Sequence, residues 1–227
     1  MAGRLFSFIS YYAKHLPEDE ALRFLFDLDE RLYALQGSIA IAYGKGLHPK
    51  HHLTGYHDFF VKRIHNTDKV LDIGCGNGAL AYDIATKCKT RVTAIDSNEK
   101  NILHAKERYH NPNITYIWGN APDDLPNKEY DVVVLSNVLE HIEKRTEFLS
   151  RIAHSVRPDR LLIRVPLFER DWRVPLKREL GVEWRLDKTH HIEYTIESFL
   201  VEIEQAGFHV SFSETHWGEI WSVAERV

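Results

Sequence analysis

One stretch constrains the fold of this chain more than any other: VLDIGCGNGALAYDIA, residues 70–85. An apolar run ends in Asp72, glycines follow at positions 74, 76 and 78, and a helix-like pattern begins directly after them. Glycine tolerates positive φ and lets backbone N–H groups approach a ligand closely. A glycine turn between a strand and a helix therefore predicts a ligand-binding loop at the edge of a parallel sheet.

Strand and helix patterns alternate from Lys69 onward, which is typical of βαβ units with helices on both faces of the sheet. The chain ends differently. After a helix at about Thr195 to Ala206, with Thr195 as its N-cap, the segments GFHVSFSETHW and GEIWSVAERV alternate as strands. The pattern predicts an α/β fold with a doubly wound, mostly parallel seven-stranded sheet and a C-terminal antiparallel hairpin.

Residues 1–66 have a helical pattern. Pro17 and the three acids after it favour a helix start, and the glycines and proline at positions 37, 44, 46 and 49 are expected to break the helix. We predict that residues 1–60 are a helical cap belonging to the same domain as residues 61–227. Leucines recur at helical spacing on one face, at positions Leu22, Leu25, Leu28, Leu32 and Leu35.

Charge, cysteine content and hydropathy disfavour several classes of protein. The chain has 227 residues and a formal net charge of −4, which disfavours a nucleic-acid partner because such domains are usually basic. Its two cysteines give no disulfide framework, so a reducing cytoplasm is expected. No apolar run reaches the roughly 20 residues of a membrane span, and the N-terminus lacks a signal-peptide pattern. The oligomeric state stays open between monomer and homodimer, because the aromatic N-terminus suits a cap, an interface or a weak membrane contact.

The residues around the loop narrow the choice of ligand. Asp96 ends the next predicted strand, where an acid can accept hydrogen bonds from ribose hydroxyls, but NAD sites use such an acid too. The glycine spacing is G-C-G-N-G rather than G-x-G-x-x-G, and no Gly-Lys-Ser/Thr follows. Asp72 before the glycines would repel a pyrophosphate and attract an ammonium group. The ligand is therefore expected to be a nucleoside that carries an amino-acid group.

The succession DIGCGNG, AIDSN, GNAPDDLP and YDVVVLSNVLEHI resembles the class I S-adenosylmethionine-dependent methyltransferases, in the small-molecule and glycan O-methyltransferase branch that includes ubiquinone-pathway enzymes. The resemblance covers about residues 61–227. It implies a Rossmann-like fold and S-adenosylmethionine as cofactor, with S-adenosylhomocysteine as product. It also implies a set of cofactor-binding residues that includes Ser97: Asp72, Gly74, Cys75 and Gly76 around the methionine, Asp96 at the ribose, Asn120 and Ala121 near the adenine, and Ser136 and Asn137 facing the methionine end.

The acceptor side is expected after the fourth strand, where His141 is a candidate general base. Glu140 and His141 are adjacent, so on regular structure they should point in different directions, and they cannot both face one ligand without a turn. Some ubiquinone-pathway relatives bind a divalent cation through E-x-x-E-H, but Asn137 replaces the first acid here. We therefore predict no metal site, and the histidines at 48, 51, 52 and 57 lack the acids or cysteines that would suggest one.

Residues 167–195 are too long for an ordinary strand-to-helix connection and are predicted to form a substrate lid. Asp187 and His190 match a D-x-x-H pattern of glycan and natural-product methyltransferases. They suit a structural latch, or His190 or His191 could deprotonate an acceptor hydroxyl.

The most favoured reaction is direct in-line transfer of a methyl group to an oxygen of a small polar acceptor, such as a sugar or glycan. A quinol or phenol, or RNA, remains an alternative acceptor. A non-catalytic, methyltransferase-like binding subunit and a nicotinamide oxidoreductase are the competing functions. The acids and histidines named above could also have purely structural roles, as helix caps or turn residues.

Overall fold

The computed structural model describes residues 2–46 and 48–227. The chain divides into two units, one formed by Met1–Thr54 with Asp171–Lys188, the other by Gly55–Arg170 with Thr189–Val227. The functional roles expected for residues 1–60 as a cap and 167–195 as a lid stay predictions.

The second unit is built on one seven-stranded sheet with the strand order β3-β2-β1-β4-β5-β7-β6. The first five strands are parallel, and β7 pairs antiparallel with both β5 and β6. This confirms the predicted doubly wound, mostly parallel sheet with a C-terminal antiparallel hairpin. The strands are β1 Lys69–Ile73, β2 Arg91–Asp96, β3 Ile114–Trp118, β4 Val132–Ser136, β5 Arg160–Pro166, β6 Phe208–His216 and β7 Glu219–Arg226.

Helices cover both faces of the sheet in this unit. Thr195 caps its helix with a reciprocal Thr195–Ser198 capping box, as predicted. The helices, numbered in chain order with those of the first unit, are α4 Tyr56–Val61, α5 Ala79–Lys87, α6 Glu99–Arg108, α7 Ala121–Asp124, α8 Arg145–Arg151 and α10 Ile196–Gln205, with a π-helical turn Ile152–Val156 after α8.

The sheet separates two apolar cores. Leu71, Leu135 and Ile163 lie on one face with Phe199 of α10, whereas alternate strand residues lie on the other face with Phe60 of α4. The expected alternation of exposed and buried residues in the last strand is wrong. Residues 220–224 of β7 are all buried, because β7 lies between β5 and β6 and is covered on both faces.

The first unit consists of helices α1 Ala2–Ala13, α2 Glu18–Tyr43, α3 Lys50–Thr54 and α9 Arg173–Glu179. Helix α2 begins directly after Pro17, as predicted, but it continues through Gly37, where we expected a break. A single glycine costs a helix only about 1 kcal/mol, which 25 other residues can offset. The break expected around Gly44, Gly46 and Pro49 is short, because α3 begins at Lys50.

None of the described helices is long and apolar enough to cross a membrane.

Candidate active site

The glycine loop joins the carboxyl end of β1 to α5 in a conformation that requires glycine. Gly74, Gly76 and Gly78 all have positive φ, and the carbonyl of Ile95 on β2 accepts hydrogen bonds from the N–H groups of Gly74 and Cys75. A Cβ on Gly74 would lie 2.7 Å from a methyl group of Val138, whereas one on Gly76 would meet nothing within 4 Å. The loop is therefore packed tightly at Gly74 and open at Gly76, and burial of the Cys75 thiol raises its pKa.

Asp72 lies in β1 two residues before the loop. Its side chain is almost fully buried, and its Oδ2 atom has no hydrogen-bond partner among the described residues. Burial raises the pKa of this carboxyl group to about 8, and the nearby charge of Asp96 makes a smaller contribution to the increase. A buried carboxyl group without a partner is costly, and a cationic ligand group would remove that cost.

Asp96 ends β2 and holds the loop from the other side. Its Oδ2 accepts a hydrogen bond of 2.8 Å from the N–H of Gly76. Its Oδ1 accepts from the N–H of Asn98 at 2.9 Å and from the side chain of Asn101 at 3.1 Å. The carboxylate is thereby fixed in orientation, and its remaining lone pairs can accept from a diol.

The ends of β2 and β3 lie side by side. The indole of Trp118, at the end of β3, donates to the carbonyl of Ser97 at 3.1 Å, and the Trp118 side chain is largely exposed. Asn120 precedes α7, and its side-chain amide donates to Asp123. Ala121 is buried. Sequence reasoning did not single out Trp118, although an exposed aromatic residue next to a predicted binding loop is a usable signal.

The end of β4 contacts a buried arginine on β5. Asn137 has a φ of 57°, and its side-chain oxygen accepts a 2.6 Å hydrogen bond from Nε of Arg164. Arg164 pairs in register with Ser136, lies 3.5 Å from Glu219, and stacks over the ring of Tyr56 at 3.7 Å. Burial raises the pKa of Tyr56 to about 12. No sequence pattern points to Arg164, because strand pairing brings it next to Ser136.

Glu140, His141 and His190 come together after β4. One ligand atom from each lies within 4.8 Å of the others. We expected Glu140 and His141 to point in different directions. That expectation applies to regular structure without a turn. Residues 139–141 form a single 3₁₀ turn, and a ligand atom of Glu140 lies within 4.8 Å of one of His141. Neither oxygen of the buried Glu140 carboxylate makes a hydrogen bond of good geometry, and burial raises its pKa to about 7.

The two histidines of this cluster are held differently. Nδ1 of the exposed His141 lies 2.9 Å from the hydroxyl of Thr189. Nδ1 of the buried His190 lies 3.2 Å from a carboxylate oxygen of Glu193, which also pairs with Arg170. The rings of the two histidines meet edge to face, with centroids 4.6 Å apart. Sequence reasoning missed Glu193, which lies three residues after His190.

His191 does not share this environment. Its side chain is exposed, and its backbone N–H donates to the carbonyl of Glu140 at 2.7 Å. The backbone of His191 therefore anchors the 3₁₀ turn.

The residues present fit S-adenosylmethionine. Asp72 offers a buried carboxyl oxygen without a partner for an ammonium group, and the open side of Gly76 offers room for close approach. Asp96 offers an oriented carboxylate for ribose hydroxyls. These groups lie at the carboxyl ends of β1 and β2, where ligands bind in open α/β sheets.

Comparison with known sequences decides the family of this region. Residues 70–159 match the protein family described as "Methyltransferase domain". This stretch, which contains β2 to β4 and all but the first residue of β1, is therefore similar to methyltransferase domains. The resemblance predicted from the glycine loop is confirmed.

Curated relatives match over the same part of the chain. The ubiquinone biosynthesis O-methyltransferase of Rickettsia canadensis is 33% identical over 99 residues, which is 42% of this chain and 41% of that protein. The mitochondrial ubiquinone biosynthesis O-methyltransferase of Schizosaccharomyces pombe is 34% identical over 100 residues, or 42% of this chain and 36% of that protein. The match thus spans less than half the length of these relatives.

Solved structures share the fold of the methyltransferase domain. A chain from the complex between the Haloferax volcanii Trm112 methyltransferase activator and a methyltransferase has a TM-score of 0.67 at 15% identity, and the alignment covers 82% of this chain and 94% of that one. Magnesium protoporphyrin IX methyltransferase from Synechocystis, solved with bound S-adenosylhomocysteine, has a TM-score of 0.61 at 18% identity over 77% of this chain and 83% of that one.

Proposed function

We propose that this chain is an S-adenosylmethionine-dependent methyltransferase that acts on a hydroxyl group of a small acceptor. The observation that carries the proposal is Asp72, whose buried carboxyl oxygen lacks a partner directly before a glycine loop with an open side. An ammonium group is the natural complement of such an oxygen.

The cofactor, when bound, supplies an electrophilic methyl group. Asp72 would hold the ammonium group, Asp96 the ribose diol, and the surface formed by Ser97, Asn120 and Ala121 the adenine. Ser136 and Asn137 would face the methionine end. Because the methyl donor is already reactive, the remaining task of the chain is to orient the acceptor and remove its proton.

His141 is the proposed general base. It is the exposed member of the cluster, so an acceptor can reach it, and Thr189 fixes one of its ring nitrogens. His190 is buried and held by Glu193, so it acts through His141 as a positioning residue. Neither role is proposed for His191, whose ring lies outside the cluster.

The same cluster supports a second arrangement, in which Glu140, His141 and His190 hold a divalent cation. Their ligand atoms lie close enough together, and the Glu140 oxygens lack good partners. A cation bound there would polarise the acceptor hydroxyl, and this would replace activation by a histidine base. Chelation separates the two arrangements: with the cation, EDTA abolishes turnover and a divalent metal restores it, whereas a histidine base is indifferent to EDTA.

Two acceptor classes follow from different observations. Residues 167–195 contain Trp172 and Trp184, and tryptophan rings that stack on a sugar ring favour a sugar acceptor. The relatives are named for ubiquinone biosynthesis, which favours a phenolic hydroxyl. Their match covers 42% of this chain, so we retain the phenolic acceptor as the second candidate.

The test is methyl transfer from labelled S-adenosylmethionine to matched panels of catechols, phenols, reducing sugars and short RNAs. Turnover on a phenol or sugar that Asp96→Ala abolishes, and that Asp27→Ala at an exposed helix position leaves intact, supports the proposal. Cofactor binding without turnover on any panel favours the binding-subunit alternative, and turnover on RNA overturns the small-acceptor assignment.

A further inference from the structure

Helix α2 carries an apolar seam, most of which is exposed among the residues that the structure describes. Leucine, isoleucine or alanine occupies every a and d position of a heptad pattern from residue 25 to residue 42. This 3.5-residue spacing is characteristic of helices that pair with another helix. The seam consists of Leu25, Leu28, Leu32, Leu35, Ile39 and Ala42.

Five of the six seam side chains are exposed, and Leu28 is half-buried. Leu32 is 47% exposed, Leu35 57% and Ile39 62%. Residues at paired a and d positions are normally enclosed by a partner helix, so the seam is incomplete in the single chain.

The second half of α2 is uncharged and rich in apolar residues. Residues 32–43 contain no charged side chain, and Tyr33, Ile41 and Tyr43 are exposed in addition to the seam. Twelve residues of helix span only about 18 Å, so this segment is too short to cross a bilayer of about 30 Å.

Charge on α2 disfavours a membrane surface as the occupant. Helix α2 contains six acidic residues and two arginines, all of them in residues 18–31. Helices that lie on membranes carry a polar face rich in lysine and arginine. An anionic bilayer would therefore repel α2.

The same charge distribution favours a second copy of this chain. In an antiparallel pair, the uncharged halves of two α2 helices overlap at the centre while the acidic halves lie at opposite ends. The opposed helix dipoles also suit this arrangement. A two-fold interface of this kind is isologous, so each copy presents the same seam to the other.

Helix α1 extends the apolar surface. The ring of Tyr12 lies 5.1 Å from that of Phe24, which places α1 beside the first half of α2. Phe6, Phe8 and Tyr11 of α1 are each at least 65% exposed. These rings add exposed apolar surface beside the first half of α2.

We propose that the chain forms an antiparallel homodimer through α2, with Leu32, Leu35 and Ile39 at the centre of the interface. This proposal is independent of the catalytic one.

Sedimentation velocity of the full chain over a micromolar concentration series tests the dimer. The wild type is expected to associate reversibly to a dimer. Leu35→Glu/Ile39→Glu should raise the dimer dissociation constant at least about tenfold, because two carboxylates per copy would be buried in the seam. The matched control Tyr33→Glu/Ala40→Glu lies on the same helix outside the a and d positions and should leave the dimer intact.

Mixing variants of opposite charge distinguishes loss of the dimer from poor folding of a variant. Leu35→Lys/Ile39→Lys should also be monomeric, and an equimolar mixture of the lysine and glutamate variants should form a heterodimer, which misfolded chains would not do. A wild type that stays monomeric throughout overturns the proposal. So does equal loss of the dimer in the control variant, or a monomer that sediments with phosphatidylglycerol vesicles.

Discussion

The carboxylate of Asp96 accepts a 2.8 Å hydrogen bond from the backbone N–H of Gly76, which ties the end of β2 to the middle of the glycine loop. This bond makes Asp96 both a ligand group and part of the framework of the loop. The conformation of the loop and the affinity for the cofactor are therefore coupled at one residue.

Replacing Asp96 should separate these two roles. Asp96→Asn keeps an acceptor oxygen for Gly76 but loses the charge, so we expect affinity for S-adenosylhomocysteine to fall roughly tenfold. Asp96→Ala loses both and should weaken binding roughly 100-fold or more. Isothermal titration calorimetry measures both constants. Equal affinity of the two variants would show that the bond to Gly76 contributes nothing.

Asp72 should make the stability of the ligand-free chain depend on pH. Its folded pKa of about 8 lies above the unfolded value, so the folded state keeps a proton that the unfolded state loses. Its contribution is fully favourable below the unfolded pKa and is lost as pH rises toward about 8, by up to roughly 1.4 kcal/mol per pH unit. Urea denaturation from pH 5 to 8, compared with Asp72→Asn, measures this slope. An unchanged slope in the variant would contradict the assignment.

Cofactor binding should then release a proton. An ammonium group next to Asp72 favours the carboxylate and lowers its pKa, so affinity for S-adenosylhomocysteine should rise with pH up to about 8. Calorimetry in buffers of different ionisation enthalpy counts the protons released. Binding without proton release near pH 7 would mean that Asp72 is already ionised or remains protonated.

Two glycine-to-alanine changes should have opposite signs. Gly74 has a φ of 69°, and its added Cβ would lie 2.7 Å from Val138, so Gly74→Ala should destabilise the fold by roughly 1–3 kcal/mol. Gly37 lies inside α2 with nothing within 4 Å of an added Cβ. Gly37→Ala should therefore stabilise the chain by about 0.5–1 kcal/mol. Chemical denaturation reports both values, and a neutral Gly74→Ala would contradict the loop geometry.

His141 should matter for turnover and little for cofactor binding. His141→Gln removes the proposed base, so kcat should fall roughly 10²- to 10⁴-fold while affinity for S-adenosylhomocysteine stays within about twofold. His154→Gln, at an exposed position on the π-helical turn after α8, is the matched control. Full turnover of His141→Gln across the acceptor panel would dismiss both the base and the cation arrangement at this residue.

The sheet and the cofactor side could be predicted because their signals are local. Each strand is a short apolar run, and the glycines and Asp72 are adjacent in the chain. The cluster of Glu140, His141 and His190 could not, because it depends on a 3₁₀ turn and on a contact across 50 residues. Likewise, helical spacing placed the α2 leucines on one face but carried no information on whether another element covers that face.

Titration of the wild-type chain with S-adenosylhomocysteine, followed by NAD in a separate titration, tests the central claim most directly. We predict saturable binding of one S-adenosylhomocysteine per chain and no measurable binding of NAD. A folded chain that binds NAD, or that fails to bind S-adenosylhomocysteine, would contradict the assignment of the glycine loop.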